Sequence, residues 1–277
     1  MSMLNSFLSS INNSTTPPVD TSFDVFIVAG QSNSDGRVLL ADAPSWLDQN
    51  NPINTGVKIW NSSDNQFNNF ELGVDTGSAV PDTTLWAYDL EFSHLYYEYS
   101  NKPVYLIKRT QGGTPIYINT GITKGCWNVD FNNIPDGTPK LLLELKENYD
   151  NAKTYIEGLG KTMNLIGILW HQGESDYSPS DAENSYETNF SDVISYIRND
   201  IVSGVTGSTL SIIYGSISHT SAEYSSVVET AQFNIASSDS NAYIVNMSGG
   251  TLLDAYHFDA DSSIYLGNEM YNIVIGL

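Results

Sequence analysis

The stretch FDVFIVAGQSN, residues 23–33, decides the fold class of this chain. Residues 23–30 form a short run of apolar, β-branched and aromatic side chains that ends in a glycine. Such a run is typical of a strand buried on both faces, as in a parallel sheet covered by helices. We therefore predict a buried strand over residues 23–30, followed by a turn at Gly30 that presents Ser32 at the edge of a sheet.

Four further apolar runs of similar length follow along the chain, and amphipathic segments separate them. The predicted strands cover residues 23–30, 103–110, 163–170, 209–217 and 242–247. The predicted helices, in which apolar residues recur at helical spacing, cover residues 84–99, 138–159, 179–201, 221–236 and 262–275. Strands that alternate with helices predict an α/β fold with a five-stranded parallel sheet covered on both faces.

The rest of the chain is predicted to consist of one extension and two long loops. Residues 1–20 are polar, end near Pro17-Pro18, and are interpreted as an extension, linker or docking segment. Residues 21–277 form one domain, because no linker interrupts them. Residues 37–83 and 111–137 are rich in Asn, Asp, Gly and Pro and are predicted to be loops over one rim of the sheet.

Composition excludes several classes of function. The 277 residues carry 32 acidic against 11 basic side chains, a formal net charge of −21. A surface this negative repels phosphate backbones and anionic lipids, so neither nucleic acid nor a membrane is an expected partner. The single cysteine, Cys126, excludes an intrachain disulfide and a cysteine-based zinc site. Residues 1–20 lack the basic start and long apolar centre of a secretory signal, so a cytoplasmic or phage-particle location is expected.

Polar residues follow four of the predicted strands, at their carboxyl ends. The segments are residues 30–33, 111–114, 171–176 and 254–257. Because ligands of parallel α/β sheets bind at the carboxyl ends of the strands, we expect these four segments to converge on one rim.

Three of these residues fit the requirements of nucleophilic catalysis. Ser32 follows a buried strand, although a serine here could also simply cap the next helix. His257 lies three residues after Asp254, a spacing that lets the carboxylate orient the imidazole toward a serine. A turn or helix cap is the alternative role of Asp254.

The other three histidines are weaker candidates for the catalytic base. His94 lies inside a predicted helix, where a structural role is expected, and His219 is expected in the wall of the pocket. His171 follows the third strand, next to Gln172, whose side-chain amide offers a donor to an oxyanion or a hydrogen bond to a loop. Glu174 and Asp176, close behind, are interpreted as structural anchors, and Glu174 alternatively as a carboxylate that supports the site.

The order of these segments resembles that of a known superfamily. GQSNSDGR (30–37), RTQGGTPI (109–116), WHQGESD (170–176) and DAYH (254–257) resemble the four sequence blocks of SGNH hydrolases. The closest resemblance is to the sialate O-acetylesterase-like branch, which includes acetylxylan esterases, and it extends over residues 23–275. Four blocks in the right order, each at a strand end, are far more specific than any one alone.

The resemblance implies a fold and a role for each matching residue. It implies a three-layer α/β/α sandwich with a five-stranded, mostly parallel sheet, and a serine esterase that needs no metal or cofactor. Ser32 would be the nucleophile, His257 the base and Asp254 its partner. The backbone N–H groups of Ser32 and Gly112 and the side chain of Gln172 would form the oxyanion hole.

Two features depart from the family or add to it. Ser34 stands where this branch commonly has Met, and we expect it to alter the floor of the acyl pocket. Asp254, Asp259 and Asp261 are closely spaced, but without the glycine of a calcium loop, so capping of the last helix is preferred over a calcium site.

The function predicted from these observations is removal of O-acetyl groups from a carbohydrate by a serine esterase. Loop aromatics suit stacking on sugars, although each could equally be packed into the loops. They are Trp46, Trp60, Trp86, Trp127 and Tyr117. The alternative is a virion or cell-surface glycan-binding or structural module that keeps the esterase fold and docks through residues 1–20. A lipase or thioesterase is disfavoured, because the loops carry no long apolar stretch for an acyl chain.

Overall fold

A computed structural model describes residues 21–72, 85–119, 121–202 and 209–277 of the chain. The predicted extension, residues 1–20, lies outside the described residues, and so does part of the predicted loop 37–83. All of the residues predicted to form the catalytic site are described.

The described residues form nine strands and six α-helices. The strands are β1 Ser22–Gly30, β2 Val38–Leu39, β3 Ile53–Asn61, β4 Gln66–Glu71, β5 Leu85–Trp86, β6 Val104–Thr110, β7 Thr162–His171, β8 Ser211–Gly215 and β9 Ala242–Val245. The helices are α1 Ser32–Asp35, α2 Tyr88–Ser100, α3 Leu141–Gly158, α4 Ser180–Tyr196, α5 Ser226–Ser238 and α6 Ala260–Gly276. A π-helical turn, Ile197–Ile201, extends α4, and 3₁₀ turns cover Leu40–Asp42 and Glu174–Asp176. None of the described helices combines the length and hydrophobicity that a bilayer crossing requires.

Seven strands form one central sheet in the order β4-β3-β6-β1-β7-β8-β9. All neighbouring pairs are parallel except β3 and β4, which form an antiparallel hairpin at one edge. Strands β2 and β5 form a separate two-stranded sheet. The predicted mostly parallel α/β architecture is confirmed, and the sheet has two strands more than the predicted five.

Both additional strands of the central sheet lie within residues 37–83, which the sequence analysis interprets as a loop. Strand β4 has the sequence QFNNFE, in which only two of the six residues are apolar, so no clear alternation is visible. Strand β3 contains Thr, Gly and Lys, which also weaken the apolar pattern. An edge hairpin needs only one buried face, so its strands carry a weaker apolar signal than a central strand does.

Strand β1 is central and has helices on both sides, which explains its continuous apolar sequence. Val25, Ile27 and Ala29 pack into the core beneath α3, α4 and α5. Phe26 and Val28 pack on the opposite face, beneath α2 and α6. A strand with two buried faces cannot alternate apolar and polar residues, so the uninterrupted run of residues 25–30 is the sequence mark of this position. The carboxyl end of β1 therefore emerges between two helix layers, where Ser32 follows.

Candidate active site

A strained turn at Gly30 places Ser32 at the end of the central strand. Gly30 has a φ of +130°, which side chains rarely adopt, and a Cβ there would lie 2.1 Å from the His171 carbonyl oxygen. That carbonyl accepts a hydrogen bond from the Gln31 N–H at 2.8 Å. Only glycine permits this close approach, and the chain turns directly into α1, whose first residue is Ser32.

Ser34 supports this turn from behind. Its hydroxyl lies within hydrogen-bond distance of the Ala29 carbonyl (3.1 Å), the His171 carbonyl (3.2 Å) and the Tyr88 hydroxyl (3.0 Å). It is fully buried and is not among the residues that line the pocket beside Ser32. The Ser34 hydroxyl therefore stabilises the turn by hydrogen bonding, and the expectation that it alters the floor of an acyl pocket is wrong.

Asp254 orients the His257 imidazole as the D-x-x-H spacing predicts. His257 Nδ1 lies 2.7 Å from Asp254 Oδ2, and the other carboxylate oxygen accepts the backbone N–H groups of Tyr256 and His257 at 2.7 and 2.8 Å. Partial burial pushes the pKa of Asp254 upward, but these hydrogen bonds outweigh it and lower the pKa below its usual value. Asp254 is thus held ionised, and an ionised partner fixes the tautomer in which His257 Nε2 is free to accept a proton.

Asn33 ties the serine turn to the histidine loop. Its side-chain oxygen accepts the Phe258 N–H at 3.0 Å, and its side-chain nitrogen donates to Glu174 Oε1 at 2.7 Å. Both Asn33 and Glu174 are buried. Because Phe258 follows His257 directly, these hydrogen bonds tie the loop that carries His257 to the turn that carries Ser32. Asn33 belongs to the first sequence block, but no role was predicted for it.

Ser32 and His257 line one open pocket with a volume of about 450 Å³. Among the described residues no hydrogen bond joins Ser32 Oγ to His257, so the structure shows the Asp254–His257 contact of the predicted triad and not the contact to serine. Such contacts are often long without substrate and tighten when it binds. The roles of the three residues stay predictions.

Loops that are distant in sequence supply the charged walls of this pocket. Arg37, Lys124, Glu223 and Tyr256 all line it, and the sequence analysis assigned none of them. Burial and the Glu174 carboxylate raise the pKa of Glu223, while Lys124 lowers it. Arg37 lies within a quoted block and could have been proposed, but no local pattern marks Lys124 or Glu223.

The predicted oxyanion donors are brought together only in part. The Ser32 N–H has no hydrogen bond to another described residue. Gly112 lies beside it, since a Cβ at Gly112 would be 3.3 Å from Ser32 Cβ, but its N–H points to Asp35 Oδ2 at 3.3 Å. Gln172 is fully buried, and its nitrogen donates to Asp176 Oδ2 at 2.6 Å and to the Thr114 carbonyl at 3.2 Å. Gln172 therefore does not face the pocket here, and its role as a donor stays a prediction.

A different glutamine amide does line the pocket. Gln31 directly precedes Ser32, and its side-chain oxygen accepts the Ser175 N–H at 3.2 Å. Its side-chain nitrogen has no hydrogen bond to another described residue. An uncharged N–H donor beside the serine is the group that a developing oxyanion requires.

The remaining histidines occupy structural positions. His94 lies in α2 as predicted, and its ring stacks on Trp46 at 3.7 Å. His171 is fully buried, with Nε2 3.2 Å from the Ser216 carbonyl. His219 is half exposed and pairs with Glu229 at 2.9 Å. It does not line the pocket, contrary to the expectation from the sequence.

None of the aromatic residues proposed for sugar stacking lines the pocket beside Ser32. Trp86 and Trp127 are buried in the two cores, and Trp46 donates to Glu91 at 2.6 Å. Tyr117 lies in the loop held by Asp176, and Trp60 lies in β3 and is buried in the core. Burial in the core thus explains Trp60, Trp86 and Trp127, whereas the expected alternative was packing into the loops.

The closely spaced aspartates serve the backbone. Asp259 caps α6 by accepting the Ser262 N–H at 2.9 Å, which was the preferred interpretation. Within residues 21–72, 85–119, 121–202 and 209–277, no group of three or more His, Cys, Asp or Glu side chains is arranged to hold a metal ion. Asp261 lies in the first turn of α6, where a carboxylate interacts favourably with the helix dipole.

The buried carboxyl group of Asp176 should make the free energy of unfolding depend on pH. Burial raises the pKa of Asp176 from 3.8 to about 6, although hydrogen bonds from Ile116, Tyr117 and Gln172 lower it. Between pH 4 and 6 the folded protein therefore binds a proton that the unfolded chain has released. As the pH rises from 4 to 6, the free energy of unfolding should fall by about 2–3 kcal/mol. Chemical denaturation at pH 4, 5, 6 and 7 would measure this slope.

The Asp176→Asn variant is the control for this prediction, because an amide cannot ionise. Its free energy of unfolding should lose most of the slope between pH 4 and 6, whatever its absolute stability. An unchanged slope in the variant would show that other groups cause the pH dependence.

Comparisons with known proteins identify a family and several solved structures that this chain resembles. The family model described as carbohydrate esterase, sialic acid-specific acetylesterase, matches residues 22–276. No sequence among the curated proteins matches the chain. This agreement over the whole described domain covers the four sequence blocks and all residues of the site.

Solved structures with the same fold cover nearly the whole chain. A protein of Arabidopsis thaliana is 18% identical, with a TM-score of 0.65, over 91% of this chain and 98% of its own. NanS is 13% identical, with a TM-score of 0.62, over 93% and 98%. A carbohydrate acetylesterase from Xanthomonas citri is 14% identical, with a TM-score of 0.56, over 92% of this chain and 57% of its own. At these identities the likeness shows the fold.

Proposed function

The chain belongs to the carbohydrate esterase family of sialic acid-specific acetylesterases, and from this premise we propose that Ser32, His257 and Asp254 hydrolyse O-acetyl groups on a sugar. Family membership makes the protein a carboxylic ester hydrolase that acts on acetylated carbohydrates. The observation that supports the triad is the Asp254–His257 hydrogen bond of 2.7 Å beside a serine in the wall of the same pocket.

The proposed reaction follows from the roles of these groups. His257 Nε2 takes the proton of Ser32 Oγ while the oxygen attacks the acetyl carbonyl, which forms a tetrahedral oxyanion. When the intermediate collapses, His257 returns the proton to the leaving sugar oxygen. Water then attacks the acetyl-serine, again with His257 as base, and acetate leaves. The Ser32 N–H stabilises the oxyanion in both halves of the reaction.

The charges of the pocket favour a sugar that also carries a carboxylate. Arg37 and Lys124 both line it, although the whole chain has only 11 basic residues against 32 acidic ones. Arg37 is partly neutralised by Asp35 at 3.1 Å, whereas Lys124 has no ion pair with another described residue. Lys124 is thus the available cation, and Glu223, whose pKa it lowers, is the single carboxylate among the lining residues.

Acetate release from a panel of acetylated sugars tests the proposal. The panel contains an O-acetylated sialic acid, an acetylated uronic acid and an acetylated neutral hexose. We expect the highest kcat/KM for a carboxylated member. Absence of acetate release from every member would contradict the esterase assignment. A higher kcat/KM for the neutral hexose would contradict the proposed preference for a carboxylated sugar.

Reversing the charge of Lys124 should weaken the binding of acidic substrates. For Lys124→Glu we expect KM for the acetylated sialic acid to rise about tenfold, because a charge pair in a half-open pocket contributes about 1 kcal/mol and the new carboxylate repels. KM for the acetylated neutral hexose should change little. Lys153→Glu, on the exposed side of α3, is the matched control for the change in net charge. Equal increases in KM for both variants would show that the net charge of the protein, and not the position of Lys124, determines the binding of acidic substrates.

A further inference from the structure

A second cleft opens beside the catalytic pocket, between the β3–β4 hairpin and α3. Its volume is about 790 Å³, larger than the 450 Å³ of the catalytic pocket, and the two share no lining residue. Both volumes lie in the range of small-molecule binding sites. Its lining includes aromatic, amide and basic side chains, namely Trp60, Asn65, Arg109, Asn148, Asn151 and Tyr155.

The hydrogen-bonding groups of this cleft are unused. The side-chain amides of Asn65, Asn148 and Asn151 make no hydrogen bond to another described residue. The indole N–H of Trp60, behind the cleft surface, is buried and finds no acceptor among the described residues, which costs about 1–3 kcal/mol unless water supplies one. Each amide can donate and accept, which matches a ligand with several adjacent hydroxyl groups.

Aromatic rings form an apolar side of the cleft. Tyr155 is half-buried, and its ring meets those of Trp60 and Phe67 edge-on at 5.9 and 6.0 Å. These contacts fix the ring on a helix, so a ligand that packs on it loses little side-chain entropy. A pyranose ring offers an apolar face of C–H groups and an edge of hydroxyls, and both find partners here.

The charges in the cleft exclude an acidic ligand. Arg109 is paired with Glu144, whose Oε2 lies 2.8 Å from Nε and 2.6 Å from the nearer terminal nitrogen. Glu147 adds a further negative charge. No unpaired cation remains among the lining residues that the structure describes, so a carboxylated or phosphorylated ligand would be repelled. This contrasts with the catalytic pocket, which Lys124 enters.

The position of the cleft connects it with the reaction. Arg109, in its wall, precedes Gly112, in the wall of the catalytic pocket, by three residues. Three residues of extended chain span at most about 10 Å, so the two sites approach each other at the carboxyl end of β6. We propose that the cleft binds neutral sugar units of the glycan whose acetylated unit occupies the catalytic pocket. This proposal depends on the proposed function for one point only, namely that the catalytic pocket holds an acetylated sugar unit.

Titration of the protein with neutral oligosaccharides tests this site. The probes are xylohexaose, cellohexaose, mannohexaose and maltohexaose, followed by calorimetry or by NMR line broadening. Asn151→Arg places a bulky side chain in the cleft at an exposed helix position, and Asn272→Arg makes the same change on exposed α6, on the opposite face of the sheet. We expect at least one probe to bind the wild type and Asn272→Arg equally, and Asn151→Arg at least tenfold more weakly. Asn65→Arg, on the hairpin, should repeat the loss from the other wall.

Three results would overturn the proposal. They are no binding of any neutral probe by the wild type, equal binding by Asn151→Arg, and binding of oligouronic acids in place of neutral probes. Thermal unfolding checks that the variants are folded. Hydrolysis of p-nitrophenyl acetate by the wild type reports on the catalytic pocket separately. Hydrolysis without glycan binding would thus refute the cleft alone, and glycan binding without hydrolysis would refute the catalytic assignment alone.

Discussion

Ser32→Ala should abolish the release of acetate and leave the fold intact. Loss of a serine nucleophile lowers kcat by about 10⁴–10⁶-fold, because the acyl-enzyme route closes and only binding and oxyanion donors remain. The Ser32 hydroxyl makes no hydrogen bond to another described residue, so its removal leaves no buried group unpaired. Turnover of the acetylated sialic acid and the thermal midpoint of unfolding, measured on the same preparation, check both halves of the prediction.

Ser34→Ala is the matched control two residues further along the same turn. Its hydroxyl is buried among the Ala29 and His171 carbonyls and the Tyr88 hydroxyl. Its loss should cost about 1 kcal/mol of stability but most turnover should remain. Wild-type rates in Ser32→Ala would refute the nucleophile. If the wild type releases no acetate and both proteins bind glycan equally, the chain is instead a glycan-binding module with an esterase fold.

Gln31→Glu should lower kcat by about 10²–10³-fold with little change in KM. The substitution keeps the side-chain oxygen that accepts the Ser175 N–H and replaces only the donor nitrogen, so the local fold is retained. A donor that meets charge only in the transition state affects turnover and not substrate affinity, and a carboxylate in its place repels the oxyanion. Steady-state kinetics with the acetylated sialic acid and p-nitrophenyl acetate would measure the effect.

Gln172→Ala distinguishes the two glutamines. The buried amide of Gln172 bridges Asp176 and Thr114 and accepts from the Tyr186 hydroxyl at 3.2 Å, so its loss should destabilise the fold by about 1–3 kcal/mol. Its effect on kcat should be smaller than that of Gln31→Glu. The reverse pattern, with turnover lost in a stable Gln172→Ala protein, would support the assignment made from the sequence and refute the role of Gln31.

Strong local patterns explain why the central strands could be predicted. Strands β1, β6 and β7 have helices on both faces of the sheet, so apolar residues predominate in each of them, although Lys108 and Arg109 interrupt β6. Each helix between them buries one stripe of apolar side chains, and the helical spacing of these residues in the sequence also allowed the helices to be predicted. The edge hairpin of β3 and β4 escaped prediction, because strands such as QFNNFE obtain their stability from pairing and one buried face.

Side-chain partners across the fold could not be predicted in the same way. Lys108 is buried in the centre of a strand that was predicted correctly, and only the packing of α2 shows that Asp89 neutralises it at 2.8 Å. Gln172 was rightly placed at a strand end, but its direction depends on Asp176, which accepts from its amide nitrogen, and on the Tyr186 hydroxyl, which donates to its amide oxygen. Such outcomes depend on which of several satisfied hydrogen-bond networks has the lower free energy.

The sequence by itself determined the α/β architecture, the ends of the strands and the pairing of Asp254 with His257, because each depends on residues a few positions apart. The tertiary structure alone decided which side chains share the pocket beside Ser32, that Lys124 lines this pocket without an ion pair to another described residue, and that an amide-lined cleft lies near it. These features join loops separated by many tens of residues. Their chemistry arises from distances that the covalent chain does not constrain and that only close packing of the two helix layers on the sheet establishes.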